Sequence, residues 1–149
     1  MTAGEYCNRE VIVVEPHISV TEAAGLMRQH HVGNVVVVEK QGEKARPVGI
    51  ITDRDIVIEV VAQEIDPGTL VVKDVMSADP LNVLEHTSLL DTLDLMKNKG
   101  VRRVLVVDDE GDLQGLLSAD DAIELIAEQV NDLSRLVNNE IRRERDQHP

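Results

Sequence analysis

The chain states one pattern twice. Residues 27–38 read MRQHHVGNVVVV and residues 96–107 read MKNKGVRRVLVV. Further on, GIITDRDIV from Gly49 is matched by GLLSADDAI from Gly115. Each copy closes with a hydroxyl residue, two spacers and an aspartate: Thr52 to Asp55, and Ser118 to Asp121. A duplication constrains the fold more than any single segment does, because both copies must form the same supersecondary unit. Each copy spans roughly 60 residues, and a unit that small buries only about 60% of the surface its unfolded chain exposes. The two copies are therefore expected to pack on each other.

In the first copy, residues 11–14 are a β-branched run that predicts a strand. Ser19 and Glu22 have capping-box spacing, and Val20, Ala23, Ala24 and Met27 follow on one helical face. The apolar run 35–38 suits a strand covered on both sides. Residues 48–52 predict the next strand, a helix is expected from there to residue 64, and Asp66-Pro67-Gly68 signals a turn. The second copy keeps this order. Met27 and Met96 lie 69 positions apart, whereas Gly49 and Gly115 lie 66 apart. The difference is a longer loop in the first half, a change that a surface hairpin tolerates. The expected division is a first repeat at 8–65, a connector at 66–76, a second repeat at 77–128, and a helical extension with a charged tail at 129–149. Within the extension, Val130, Leu133, Val137 and Ile141 continue an apolar stripe. That stripe either packs back on the body or builds a dimer, and a homodimer is the expected assembly.

Charge and composition remove several function classes. The chain has 15 basic and 28 acidic residues, a formal net charge of −13, which opposes nucleic acid and anionic membranes. It has one Tyr and no Phe or Trp, so the usual stacking platform for single-stranded bases is missing. No run approaches the roughly 18 apolar residues of a membrane span. The start lacks a signal-peptide pattern, and the single Cys7 excludes an internal disulfide. A soluble cytoplasmic protein is expected. His30 and His31 are adjacent and do not share a helix face; His17, His86 and His148 lack close Cys or His neighbours. The acidic run 108–112 has Leu113 and Ala119 where a calcium loop needs Gly and Glu, so it reads as a hairpin turn. No metal site is expected. There is no Walker loop or nucleophile elbow, and no catalytic constellation, so an enzyme is not expected.

VGNVVVV with VRRVLVVD, GIITDRD with GLLSADD, and the connector VVKDVMS resemble the CBS domain, the repeat named after cystathionine β-synthase. The resemblance covers residues 8–128. It implies a tandem pair, or Bateman module: two β-α-β-β-α repeats of α/β (α+β) class packed as a pseudo-two-fold disc, here with a long C-terminal helix. It further implies a stand-alone regulatory module with no required cofactor. Such a module binds an adenine nucleotide or adenosine derivative in clefts between the repeats. AMP, ADP and ATP lead, with S-adenosylmethionine and NADH as further candidates. The output would pass to an unidentified regulated protein or across a dimer.

The same residues have a physical rationale as a nucleotide site. A ribose offers two adjacent hydroxyl donors, and one ionised carboxylate accepts from both. Asp55 and Asp121 stand where the family places that carboxylate. Thr52 and Ser118 end a strand and open a helix, where hydroxyl and free N–H groups suit phosphate. Arg102 and Arg103 open the strand where family members contact base or phosphate; the first half has Gly33 and Asn34 there. Arg54 is a further cation in the first half, where the second half has Asp120. Unequal sites are expected, with the one using Arg102 or Arg103 preferring anionic ligands. Without aromatics, adenine would lie between Ile12, Val32, Leu81 and Val101. A hydroxyl, two spacers and an acid is equally a helix-capping box, and the two roles are compatible. The arginine pair equally suits a solvated face or ion pairs with acidic neighbours. Two alternatives stand beside the nucleotide reading: a ligand-independent dimerisation protein and a divalent-cation sensor.

Overall fold

The computed structural model describes residues 1–148. It opens with a short helix, α1 (Ala3–Tyr6). Then come β1 (Val13–Val14), α2 (Val20–His30), β2 (Asn34–Gln41), β3 (Lys44–Thr52) and α3 (Asp53–Ile56). A π-helical turn (Val57–Val61), a 3-10 turn (Pro67–Thr69) and α4 (Val72–Val75) lead into the second half. That half holds β4 (Ser77–Ala78), β5 (Asn82–Leu84), α5 (Leu89–Lys99), β6 (Arg103–Val107), β7 (Leu113–Ser118) and α6 (Ala119–Gln147). The order strand, helix, strand, strand, helix therefore occurs twice, as the duplication predicts.

Several elements differ from their sequence expectation. Strands β2 and β3 continue to Gln41 and from Lys44, pairing Lys40 with Ala45 and Gln41 with Lys44, so the extra length of the first half lies in longer strands around a short turn and not in a longer loop. The first strand is confined to Val13–Val14, which pair in parallel with Val36 and Val37; Ile12 contributes only its carbonyl, 2.9 Å from the Val36 N–H. The helix after β3 does not run regularly to residue 64. It widens after Ile56, with the Ala62 N–H on the Val57 carbonyl at 2.8 Å, and Glu64 is left-handed at φ 58°. Val57, Ile58, Val60 and Val61 are β-branched and crowd the preceding turn of a helix. The corresponding stretch of α6 keeps Ile123 and Ile126 but has the better helix formers Glu124 and Ala127 in place of Ile58 and Val61, and no Pro or Gly follows it where Pro67 and Gly68 follow the first; there the helix continues.

The strands form two sheets, ordered β1-β2-β3-β4 and β5-β6-β7. Each sheet is edged by the segment that precedes the other repeat. Ser77 and Ala78 pair antiparallel with Ile50 and Gly49 of β3. In the other sheet, Asn8 bridges Leu116 of β7, with N–H to carbonyl distances of 2.8 and 2.9 Å in the two directions. Asn8 and Ser77 are 69 positions apart and Ile50 and Leu116 are 66 apart, so the two exchanges are the same exchange. On this register α1 is the counterpart of α4.

The chain divides into two compact units, Met1–Leu117 and a second that begins at Ser118. In the first unit, the run 35–38 is fully buried and its alternation sorts it into two cores. Val35 and Val37 join Val14, Ala23, Met27, Ile51 and Val72 beneath α2 and α4. Val36 and Val38 point the other way and meet Ile50, Leu105 and Leu116. This second cluster draws on both halves, so β2 is covered on both faces by different partners. In the second unit, α6 starts at a capped Ser118, whose Oγ accepts the Asp121 N–H at 3.1 Å. The helix is 29 residues long.

The exchange explains why both repeats have Gly before the strand end. A Cβ on Gly49 would lie 2.5 Å from Met76 Sδ and 2.9 Å from the Ser77 carbonyl oxygen. A Cβ on Gly115 would lie 2.6 Å from both Cys7 Sγ and the Asn8 carbonyl oxygen. A side chain can swing aside, but a backbone carbonyl held in a sheet cannot. Gly115→Ala is therefore expected to destabilise the protein by about 1–3 kcal/mol, the usual range for overpacking. Urea unfolding of Gly115→Ala with and without Cys7→Ala tests this. Full rescue by the smaller residue 7 would show that the carbonyl contact does not matter.

Candidate functional site

Strand β3 ends at Thr52 in an extended conformation, and the chain turns at once into α3. Thr52 Oγ1 accepts the Asp55 N–H at 3.1 Å. In return, Asp55 Oδ2 accepts the Thr52 N–H at 2.9 Å. This is the reciprocal capping box that the spacing allows. It uses one lone pair of one carboxylate oxygen. The box fixes the rotamer of Asp55 and leaves most of the acceptor capacity of its half-buried carboxylate unspent.

The second contribution comes from the end of α5. Gly100 is left-handed at φ 67°, and its N–H reaches the Lys97 carbonyl at 3.1 Å. That stop ends the helix and delivers Val101, Arg102 and Arg103 in sequence to the start of β6. In the first repeat His31 takes the same left-handed position at φ 54°. The third contribution is the stretch from β4 to β5. Asp79 is left-handed at φ 52°, which Asp tolerates better than most residues. The Leu81 carbonyl accepts the Leu105 N–H at 2.9 Å, which holds this stretch beside β6.

These three segments enclose one cleft of about 380 Å³. Of the residues singled out in the sequence, Thr52, Asp55, Leu81, Val101, Arg102 and Arg103 line it. Ile50 and the stretch Ser77, Ala78, Asp79, Pro80 complete the wall. The carboxylate of the first repeat thus shares a wall with the guanidinium pair of the second. Two aspartates and two arginines line it, so its formal charges balance in an otherwise strongly acidic protein.

The remaining candidates lie elsewhere. Ile12 packs against the first repeat's own core. Val32 follows α2, its N–H on the Met27 carbonyl at 3.1 Å, and Asn34 pairs with Thr52 across β2 and β3. Arg54 is exposed and is not part of the cleft wall. Ser118 and Asp121 open α6; the Ser118 hydroxyl caps the helix, and Asp121 is exposed. Cys7 is half-buried against Gly115, and burial pushes its thiol pKa up. That makes it a packing residue more than a nucleophile.

The sequence of each half also carries a family signature: the CBS domain model matches residues 3–62 and again 72–128. The chain belongs to the CBS domain family. As a CBS pair it is 38% identical over 125 residues to an uncharacterized protein of Methanopyrus kandleri, covering 84% of this chain and 62% of that protein. The chain thus spans less than two thirds of that relative's length. It is 38% identical to a CBS domain-containing protein of Bacillus subtilis, covering 75% of this chain and 76% of that one. Among solved structures, a CBS domain protein of Pyrobaculum aerophilum in complex with AMP superposes with a TM-score of 0.72 at 26% identity. That match covers 81% of this chain and 89% of the other. Within this CBS pair, no group of three or more His, Cys, Asp or Glu side chains among the described residues is placed to hold a metal ion. Among those residues, no helix is long and apolar enough to cross a membrane.

Proposed function

We propose that this CBS pair is a regulatory module that binds an adenosine monophosphate in the cleft between β3, the β4–β5 stretch and the start of β6. The observation that carries this reading is the cleft's composition. Asp55 can accept from the ribose diol, Leu81 and Val101 can sandwich the base, and Arg102 and Arg103 can neutralise a phosphate. The AMP complex of the Pyrobaculum relative supports the same ligand class. Size argues for the smaller ligands: at about 380 Å³ the cleft is near the lower end of small-molecule sites, which run from about 300 to 1,000 Å³. AMP therefore fits better than a dinucleotide such as NADH.

Such a ligand touches both repeats at once. Its regulatory effect follows if it binds one arrangement of the two repeats better than another, since only differential affinity shifts a population. Nothing in this account requires bond-making chemistry. Calorimetric titration of nucleotide-free protein with AMP, ADP, ATP, S-adenosylmethionine and NADH is the test. The expected result is saturable heat with AMP and the weakest response with NADH. Absence of heat with all five at high micromolar concentration contradicts the proposal and leaves the cleft as scaffold.

A further inference from the structure

Helix α6 carries a row of exposed apolar residues. Ile123, Ile126, Val130, Leu133, Leu136, Val137 and Ile141 are between 44% and 63% exposed. Their spacing is not random. Ile123, Ile126, Val130, Leu133 and Val137 alternate steps of three and four, the heptad spacing of a coiled-coil seam. The next position in that register, 140, is Glu. At about 1.5 Å per residue the 29-residue helix is roughly 44 Å long, enough for several layers beyond its first turn.

Charge selects the occupant. Residues 119–134 of α6 hold five carboxylates and no basic residue; residues 135–148 hold Arg135, Arg142, Arg143 and Arg145 against three carboxylates. The first half is strongly acidic and the second carries all of the helix's arginines. We propose that α6 pairs with α6 of a second copy as an antiparallel two-stranded coiled coil. Ile126 then faces Val137 and Val130 faces Leu133, each pairing occurring twice. Glu140 falls opposite Ile123 at the two ends of the seam, where its carboxylate reaches water. The acidic half of each helix runs beside the arginine-bearing half of the other, and the helix dipoles oppose. A parallel pair is the arrangement that β-branched residues at 123, 130 and 137 favour by themselves. It would instead set acidic half against acidic half and Glu140 against Glu140. This inference does not rest on the nucleotide reading.

The test uses the full chain in a Cys7→Ser background. Sedimentation velocity is expected to show a dimer at tens of micromolar, and Leu133→Asp is expected to weaken it roughly 100-fold or more. Leu133 is exposed in the single chain, so far-UV circular dichroism and melting of the monomer serve as the folding control. Orientation is read by oxidation: Ile126→Cys together with Val137→Cys gives a disulfide-linked dimer, and Ile126→Cys alone does not. A monomeric parent protein, a dimer indifferent to Leu133→Asp, or efficient cross-linking by Ile126→Cys alone overturns the proposal.

Discussion

Leu105→Ala is expected to cost about 2–5 kcal/mol, the range for emptying a fully buried leucine site, and to weaken both repeats together. Leu105 is fully buried on β6, yet it packs in a cluster with Val36, Val38 and Ile50 of the first repeat. A loss of this size is a large share of the roughly 5–15 kcal/mol that holds an ordinary domain folded. The first repeat keeps a core of its own beneath α2 and α4, but the shared cluster covers the other face of β2, so a loss there reaches both halves. Chemical denaturation followed by two probes, far-UV dichroism and the single Tyr6, is expected to give one coincident transition, shifted to lower denaturant in the variant. Two separate transitions in the parent protein, or a loss well under 1 kcal/mol in Leu105→Ala, would mean that the repeats stand independently.

The second large effect concerns ligand. Asp55→Ala is expected to weaken AMP binding roughly 10- to 100-fold, the equivalent of removing hydrogen bonds to a charged acceptor. The same substitution removes half of a capping box, which by itself costs stability on the order of 1 kcal/mol. Asp53→Ala controls for the loss of negative charge at the helix start, and the melting of each variant reports the loss of the cap. Asp53 is exposed, lies outside the cleft wall, and its Oδ1 accepts only the local Arg54 N–H at 2.8 Å. It is expected to bind AMP within about twofold of the parent protein, so any larger loss belongs to the Asp55 carboxylate and not to charge at the helix start. Calorimetry on the three proteins, each checked for cooperative melting, gives the comparison. Equal affinities for Asp55→Ala and the parent would remove the ribose assignment.

The repeat and the element order were legible because hydrophobic periodicity reports burial directly. The run 35–38 reads as a strand covered on both sides, and Val35 and Val37 do face a different core from Val36 and Val38. The helix caps were legible because they are local, although only Thr52 and Asp55 close the reciprocal box; at Ser19 and Ser118 the hydroxyl alone caps the helix. Less visible was the strand exchange. Asn8 and Ser77 hold no hydrophobic signal of their own, and their sheet positions depend on contacts more than 25 residues away in sequence. The offset of 69 between Met27 and Met96 nevertheless carries Asn8 onto Ser77 and Gly4 onto Lys73. Applied upstream, it would have extended the first repeat to α1. It also sets residues 77–80, which with Ile50 complete the cleft wall, opposite residues 8–11 in the first repeat.

The cleft was half legible for a related reason. Side-chain chemistry pointed to Thr52, Asp55, Leu81, Val101, Arg102 and Arg103. Setting Asp55 and the arginine pair in one wall required the fold, since nothing in the sequence places residues 52–55 beside residues 101–103; Arg54, the cation adjacent to Asp55 in sequence, is exposed and off the wall. The π turn after Ile56 was not legible. Its residues match a helical face as well as those of α6 do, and the extra β-branched residues Ile58 and Val61 separate the two stretches only in degree.

The most direct test is a crystal structure of the protein grown with AMP. The account predicts the nucleotide in the cleft, with both ribose hydroxyls within hydrogen-bond distance of the Asp55 carboxylate and the phosphate towards Arg102 and Arg103. AMP bound away from these residues, or seated in the cleft with its diol turned to solvent, would contradict it.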